Sequence, residues 1–282
     1  MASRIYKNLI PDSHLHRELE SLLRKNGGVA TLEEICREVF LLPTASAPLA
    51  RVLVEELIQG DPRLQWAADT RVECSEPSPE EVWRQRKHVL VVDIETTDGT
   101  RRDQRIIELG VCRIEKGCIT REWSQLLNPE RSVSPWIRNL TGITKAMLAA
   151  APRFAEVADR LLEELEGAIL VAHHARFDVA VLSAEVSRLR GQRLGNYYLC
   201  TVELARHVFP SMENYRLETL SRTLGLCHER PHRAGSDARA TAELFTRLAE
   251  TSDWALAPYL RPHPLVRRPA AQIVETSHER IS

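Results

Sequence analysis

Hydrophobic residues along the chain fall into three zones with different spacing. Between Ser13 and Thr70 they recur every three or four positions in short runs, as in "HRELESLL" and "TLEEICREVF", which predicts short amphipathic helices. From His88 to Glu250, continuous apolar runs such as "HVLVVDI" and "GAILVAH" alternate with helical runs. After Trp254 the periodicity is weak. We therefore predict a small helical unit, an α/β layer fold and a tail.

The first zone predicts three helices followed by two strand-like segments, "RLQWA" and "TRVEC". Thr31 and Glu34 have the spacing of a capping box at the start of the second helix. This order is typical of a small winged-helix domain, which we place at residues 1–73. Binding of DNA or of a partner is one function for it. A packing or regulatory role is the alternative, because no cluster of Lys and Arg marks a recognition helix.

Composition suggests the remaining boundaries. Residues 74–87 mix Pro, Ser and charged residues, which is typical of a linker. Residues 88–252 hold the alternating strands and helices, including a hairpin predicted around Lys116 and Gly117. Residues 253–282 are rich in Pro and Arg, so we interpret them as a tail or as a linker into a further domain.

Overall composition excludes several classes of protein. In 282 residues, 43% hydrophobic content is enough for a real core, and a formal charge of −1 argues against a uniformly basic surface while leaving room for a local basic groove. Six cysteines without a C-x-x-C pair fit neither a zinc site nor a disulfide framework. No segment has the pattern of a signal peptide or a membrane span. We therefore expect a cytoplasmic protein that does not associate with membranes.

Two carboxylates follow the buried apolar run at its C-terminal end, in "VVDIETT". Asp93 and Glu95 are two positions apart on a predicted strand, so their side chains point to the same face. Like charges at this separation repel each other unless a cation joins them. Something must therefore neutralise this pair, unless the two carboxylates lie at a solvated end of the strand.

Two further acidic positions occur in the same zone. Asp178 lies in the first turn of the helix after "AILVA", and the C-terminal ends of strands are where sites collect in α/β sheets. His232 precedes Asp237 by five residues, a spacing that would separate them by about 140° on one helix. We therefore expect His232 on the loop before that helix, turned back toward Asp237.

Three segments, "VVDIETT", "VAHHARFD" and "HRAGSDARAT", resemble the motifs of the DEDDh 3′-5′ exonucleases, the type found as proofreading domains of bacterial replicative polymerases. "NLTGITKAML" and "CTVELARHVFP" are similar to the connecting segments of that family. The resemblance extends from about Val89 to Leu248, and several motifs in the right order make it specific. It implies a ribonuclease H-like exonuclease fold, with a mixed central sheet flanked by helices.

The resemblance also implies a metal site. Two divalent ions, Mg²⁺ or Mn²⁺, would be held by Asp93, Glu95, Asp178 and Asp237. Carboxylate oxygens are the ligands that these hard cations prefer, and two such ions can stabilise the attacking and the leaving oxygen of a phosphoryl displacement. His232 is implied as the general base for the attacking water, because imidazole ordinarily titrates near neutral pH.

The family's substrate contacts correspond to four positions of this chain. Thr96 would contact the 3′ end, and Leu140 and Thr141 would contact the terminal base or sugar, unless these two only cap and pack a short helix. His174 stands where the family usually has Asn; a histidine can still donate a hydrogen bond to a phosphate or sugar oxygen. We interpret Glu108, in "IIELG", as a structural carboxylate or as one that supports the metal ligands, rather than as a ligand itself.

The predicted function is hydrolysis of phosphodiester bonds at single-stranded or frayed 3′ ends of DNA, releasing nucleoside monophosphates in proofreading or repair. A polymerase or a helicase is the expected protein partner. One alternative is an exoribonuclease, from which the treatment of the 2′-hydroxyl would distinguish it. A second is a non-catalytic nucleic-acid-binding adaptor, although the four acids and the histidine weigh against it. A third is a winged-helix regulator, which the lack of a basic N-terminal patch disfavours.

Overall fold

The computed structural model describes residues 6–99, 103–250 and 253–262. Up to residue 74 the elements follow the order β1 (Leu9–Pro11), α1 (His14–Lys25), β2 (Val29–Thr31), α2 (Leu32–Glu38), α3 (Ala47–Ile58), β3 (Leu64–Ala68) and β4 (Arg71–Cys74).

The remaining elements are mostly longer. They are α4 (Pro79–Gln85), β5 (His88–Thr96), β6 (Ile106–Glu115), β7 (Cys118–Leu126), α5 (Pro135–Thr141), α6 (Lys145–Ala149), α7 (Phe154–Leu165), β8 (Ala168–Ala172), α8 (Arg176–Arg190), β9 (Gln192–Leu194), β10 (Tyr198–Cys200), α9 (Thr201–Val208), α10 (Leu217–Leu224), α11 (Ala234–Glu250) and a 3-10 helix (Asp253–Tyr259).

The N-terminal part has its own small core. Strands β2, β4 and β3 form an antiparallel sheet in that order, and the apolar faces of α1, α2 and α3 cover it. The capping box predicted at the start of α2 is present, because Thr31 and Glu34 each accept a hydrogen bond from the other's backbone N–H. The three predicted helices and the two predicted strands are present, and the structure adds β2 between α1 and α2 as a third strand of the sheet.

A five-stranded mixed sheet forms the centre of the second zone. Its strand order is β10-β8-β5-β6-β7, with β8 parallel to both β5 and β10, and with β6 antiparallel to both β5 and β7. One face packs in a cluster that includes Leu161 of α7 and Leu182 of α8, and the other in a cluster that includes Leu244 of α11. Because both faces are covered, β5 is a continuous apolar run rather than an alternating one.

The pairing of β5 with β6 is irregular at its acidic end. Glu95 lies opposite Glu108, but Thr96 lies opposite Ile106, so Ile107 is an extra residue in β6. Ile106 packs in the main core, whereas Ile107 packs in a separate cluster with Ile137 of α5. A β-bulge thus places adjacent isoleucines in two different clusters and gives α5 its position.

The structure differs from the sequence pattern at three places. The segment interpreted as a linker contains α4, which begins with a capping box between Ser78 and Glu81 and buries Trp83. Strand β1 pairs with β9, and Tyr6 and Leu9 pack in the core between the central sheet and helices α7 and α8. The first residues of the expected tail form a 3-10 helix that packs on the sheet, and residues 263–282 lie outside the described residues.

The sequence predicts no segment that spans a membrane. No helix within residues 6–99, 103–250 and 253–262 is long and apolar enough to cross a membrane.

Candidate active site

The site begins at the C-terminal end of β5. The last residue of β5 that pairs with β8 is Val91, so the chain beyond it has a free edge on that side. Asp93 and Glu95 lie in this stretch, and both side chains are partly exposed. The apolar residues before them form the buried part of β5, so the two carboxylates lie where the strand leaves the core.

Asp178 reaches the same place from the first turn of α8. Its side chain is buried and accepts a hydrogen bond from the backbone N–H of Ile94, on the free edge of β5. Helix α8 directly follows β8, which is parallel to β5, so the chain connection itself brings this carboxylate beside Asp93. The hydrogen bond from Ile94 holds it there.

Asp237 comes from the first turn of α11. One of its oxygens, Oδ2, accepts a hydrogen bond from the backbone N–H of His232 at 3.1 Å, so the loop turns back toward the helix as its spacing predicts. His232 itself has a φ of 63°, in the left-handed region. Potential ligand atoms of Glu95, His232 and Asp237 all lie within 4.8 Å of one another.

The acidic groups influence one another electrostatically. Burial raises the pKa of Asp93 well above its ordinary value, and the charges of Asp178, Asp237 and Glu95 raise it further. Burial, together with the charges of Asp237 and Glu108, raises the pKa of Glu95 to about 7. This donor set fits a hard divalent cation, because such an ion takes carboxylate oxygens as ligands and would relieve their mutual repulsion.

His228 is a member of the site that sequence analysis missed. Its Nε2 donates to Oδ1 of Asp237 at 2.6 Å, and its side chain is only 7% exposed. Oδ1 of Asp237 therefore has a side-chain donor and Oδ2 a backbone donor, which together fix the orientation of this carboxylate. A spacing of nine residues matches no helix or strand repeat, so no local pattern indicates this contact.

Comparison with known proteins identifies the family. The model of the Exonuclease family matches residues 90–245, more than half of the chain and all of the site just described. The chain belongs to the exonuclease family. Residues 90–245 are therefore a 3′-5′ exonuclease domain, as the sequence motifs predicted, and DEDDh members of this family use divalent metal ions.

Two curated relatives share this exonuclease domain, but it forms a different fraction of each. The chain is 37% identical over 166 residues to the 3′-5′ exonuclease DinG of Bacillus subtilis, and the match covers 58% of this chain and only 18% of that protein. It is 35% identical over 161 residues to the DNA polymerase III subunit epsilon of Aquifex aeolicus, where it covers 57% of this chain and 80% of the relative.

A solved structure confirms the predicted ribonuclease H-like exonuclease fold. The nuclease domain of 3′hExo, a DEDDh family member bound to rAMP, superimposes with a TM-score of 0.51 at 18% identity. The match covers 63% of this chain and 96% of that one. At this level of identity the likeness concerns the fold alone.

Glu108 binds the loop of the exonuclease domain that carries His232. It accepts hydrogen bonds from Nε and Nη2 of Arg233 at 2.9 and 2.8 Å, and from the backbone N–H of Ala234 at 3.0 Å. Its side chain is almost fully buried, as a carboxylate can be when it is paired and hydrogen-bonded. Glu108 therefore connects β6 to the start of α11.

Gly110 permits the same contact between β6 and α11. A Cβ atom at this position would lie 1.9 Å from the carbonyl oxygen of Ala234, a distance that real side chains do not show. The first turn of α11 can approach the sheet this closely only over a glycine, and this approach brings Asp237 to the end of β5.

The four predicted substrate-contact residues differ in accessibility. Leu140 and His174 are exposed, whereas Thr96 and Thr141 are buried. The hydroxyl of Thr141 donates to the carbonyl of Ile137 and accepts from the N–H of Ile143, so it is engaged at the end of α5. These two hydrogen bonds are those of a residue that caps and packs the helix, and contact of Thr141 with the substrate stays a prediction.

His174 has a backbone reason to replace the usual Asn. Its φ is 69°, and Asn and His are both among the residues enriched in the left-handed region. The preceding His173 donates from Nε2 to the carbonyl of Tyr215 at 2.9 Å, and its Nδ1 lies 2.8 Å from the hydroxyl of Thr201. Burial lowers the pKa of His173 to about 4, so this ring is neutral and structural.

Proposed function

We propose that this chain is a metal-dependent 3′-5′ exonuclease that hydrolyses phosphodiester bonds at 3′ ends of DNA and releases nucleoside monophosphates. The observation that carries the proposal is the convergence of Asp93, Glu95, Asp178 and Asp237 from three distant segments, with a shared rise in the pKa of each carboxyl. A fold gains nothing in stability from such repulsion, so the arrangement fits a cation-binding role.

The four carboxylates would hold two Mg²⁺ or Mn²⁺ ions, which supply charge stabilisation for the attacking and leaving oxygens. His232 is exposed beside Glu95 and Asp237, where its imidazole can reach a water molecule at the scissile phosphate. As general base it would take the proton of that water. Burial of Asp178 and the hydrogen bonds to Asp237 keep the carboxylates in place.

The proposal includes a cellular process and a protein partner. The similarity to an epsilon subunit supports proofreading or repair, with a polymerase as the partner, and the similarity to DinG supports a helicase as the alternative partner. Because the chain spans only 18% of that DinG, the shared domain supports the chemistry of hydrolysis rather than a particular assembly.

Digestion of matched DNA and RNA oligonucleotides, labelled at either the 3′ or the 5′ end, tests this function. We expect early release of the 3′ label as a mononucleotide, a ladder from the 5′-labelled strand, and no reaction in EDTA. A clear preference for RNA would replace DNA as the substrate. Binding of the oligonucleotides without hydrolysis, in the presence of Mg²⁺ or Mn²⁺, would favour the non-catalytic adaptor.

A further inference from the structure

Helix α5 exposes two large apolar side chains on one side. Trp136 is 66% exposed and Leu140, four residues later, is 37% exposed. Side chains four apart on a helix are neighbours on its surface. The other side of α5 is buried through Ile137 and Thr141, so the helix is firmly seated while Trp136 faces solvent.

Helix α5 is attached directly to the acidic end of β5. The hydroxyl and the backbone N–H of its N-cap, Ser134, donate to the two carboxylate oxygens of Asp98 at 2.9 and 3.1 Å. Asp98 is three residues beyond Glu95. From the other side, Ile137 packs in one cluster with Ile107, the extra residue next to Glu108. The exposed pair is therefore held beside the proposed catalytic site.

Apart from Asp98 at the N-cap, the charges of this segment suit a polyanion. Residues 131–145 contain three basic residues, Arg131, Arg138 and Lys145, and no Asp or Glu. An exposed aromatic ring among cations is the combination with which proteins bind single-stranded nucleic acid, since bases stack on the ring and phosphates lie near the cations. The exposed Leu49 and Val52 of α3, in contrast, are followed by Glu55 and Glu56.

We propose that Trp136 is a stacking platform for the base next to the terminal nucleotide, on the 5′ side of the bond to be cut. This inference rests on the proposed function and on the contact between Leu140 and the terminal nucleotide that the family resemblance implies. Trp136 lies one helical turn away from Leu140, about 6 Å along the same surface, which is where the preceding base of an extended strand would lie. The subsite would accept any base, because every base has a π-face.

The test compares Trp136→Ala with Trp136→Phe, which keeps an aromatic ring. Affinity for a single-stranded oligonucleotide is measured by fluorescence anisotropy with Ca²⁺ in place of Mg²⁺, and KM and kcat are measured with Mg²⁺. We expect the alanine variant to bind about 5- to 150-fold more weakly and its KM to rise by a similar factor, the usual effect of one stacked base, with kcat nearly unchanged. The phenylalanine variant should retain most of the affinity. Leu189→Ala, which truncates an exposed leucine on α8, is the matched control.

Two substrates make the test specific for the penultimate base. An oligonucleotide with an abasic residue at that position should bind equally to wild type and Trp136→Ala, and the p-nitrophenyl ester of thymidine 5′-monophosphate, which has no second base, should be hydrolysed equally. An unchanged affinity in Trp136→Ala, or an equal loss on the abasic strand, would overturn the inference. If the wild type binds but hydrolyses neither substrate, the proposed function fails while the anisotropy measurement still decides the role of Trp136.

Discussion

Nε2 of His228 lies 2.6 Å from Oδ1 of Asp237, although neither the helix nor the strand repeat would bring these two residues together. Asp237 is one of the four proposed metal ligands, and its second oxygen accepts from the backbone of His232. Partners of this kind orient a carboxylate ligand and tune its affinity for the metal.

Replacing His228 should weaken metal binding more than it weakens the fold. We expect His228→Ala to lower the affinity for Mn²⁺ by about 10- to 100-fold, because Asp237 loses the donor that orients it. His228→Gln, which can donate a hydrogen bond, should recover part of the loss. Calorimetric titration measures the affinity, and His14→Ala, at an exposed site on α1, is the control. Unchanged affinity in the alanine variant would show that His228 does not support the site.

Removing one acid should abolish activity and change how stability depends on pH. The raised pKa of Glu95, about 7, and the raised pKa values of Asp93 and Asp178 mean that the folded apo protein holds protons more tightly than the unfolded chain does. The contribution of these groups to the free energy of unfolding is fully present below the ordinary carboxyl pKa near 4, and it is lost as pH rises through about 7.

The metal-free protein should therefore melt at a lower temperature at pH 8 than at pH 5, and Asp93→Asn should flatten this slope while eliminating hydrolysis. Mg²⁺ should raise the melting temperature more at pH 8, because binding then displaces fewer protons. Scanning calorimetry over this range measures both effects. Parallel slopes for wild type and variant, or residual hydrolysis in Asp93→Asn, would contradict the assignment.

His232→Ala should lower kcat by about 10²- to 10⁴-fold, the usual contribution of a positioned acid-base group, with little change in substrate affinity. His232→Asn separates the two possible roles, because asparagine can hold a hydrogen bond but cannot accept a proton at neutral pH. If the asparagine variant keeps a kcat near that of the wild type, His232 orients the substrate or water and is not the base.

The ion pair between Glu108 and Arg233 should affect both stability and turnover. Glu108→Ala leaves a partly buried guanidinium without its partner, and we expect a loss of about 3 kcal/mol in the free energy of unfolding. Displacement of the loop with His232 should reduce kcat by up to about 100-fold. Glu122→Ala removes another Glu–Arg pair between β7 and α11, but an exposed one, and should cost less than about 1 kcal/mol. Equal effects of the two substitutions in urea unfolding would refute the distinction.

The N-terminal strand should contribute to the stability of the exonuclease domain. Leu9 pairs with Leu194 and is almost fully buried in the main core, so Leu9→Ala should cost about 2–5 kcal/mol. Leu41→Ala, at a 77% exposed position, should cost almost nothing. A chain that begins at Ser78 should still hydrolyse short single strands, at a lower melting temperature. A melting temperature equal to that of the full chain would show that β1 adds no stability.

Sequence patterns predicted the parts of the fold that have a local cause. The continuous apolar run predicted β5, the spacing of His232 and Asp237 predicted the turned loop, and three motifs predicted the family that the comparisons confirm. Helix α4 was missed because its capping box lies in a segment whose Pro and Ser suggested a linker. The helix is stabilised mainly by burial of Trp83 against distant parts of the chain, which a local pattern does not indicate.

Long-range contacts were beyond any local pattern. The three residues of β1 pair with three residues of β9 that lie more than 180 positions later, and neither segment is long enough to have a recognisable period. The pairing of Glu108 with Arg233 and the approach of Ala234 over Gly110 depend in the same way on how α11 lies across β6. Sequence could identify Glu108 as structural, but its partner became visible only with the fold.

The bulge in β6 makes the length of that strand as important as its composition. Deleting the single residue Ile107 would restore regular alternation, so that no isoleucine would remain beneath Ile137 while Ile106 still filled the main core. Exchange of one aliphatic side chain for another leaves this arrangement intact. Residues 106–108 should therefore tolerate another aliphatic residue at either isoleucine position. They should not tolerate a deletion, because the one extra residue supplies the side chain against which α5 packs.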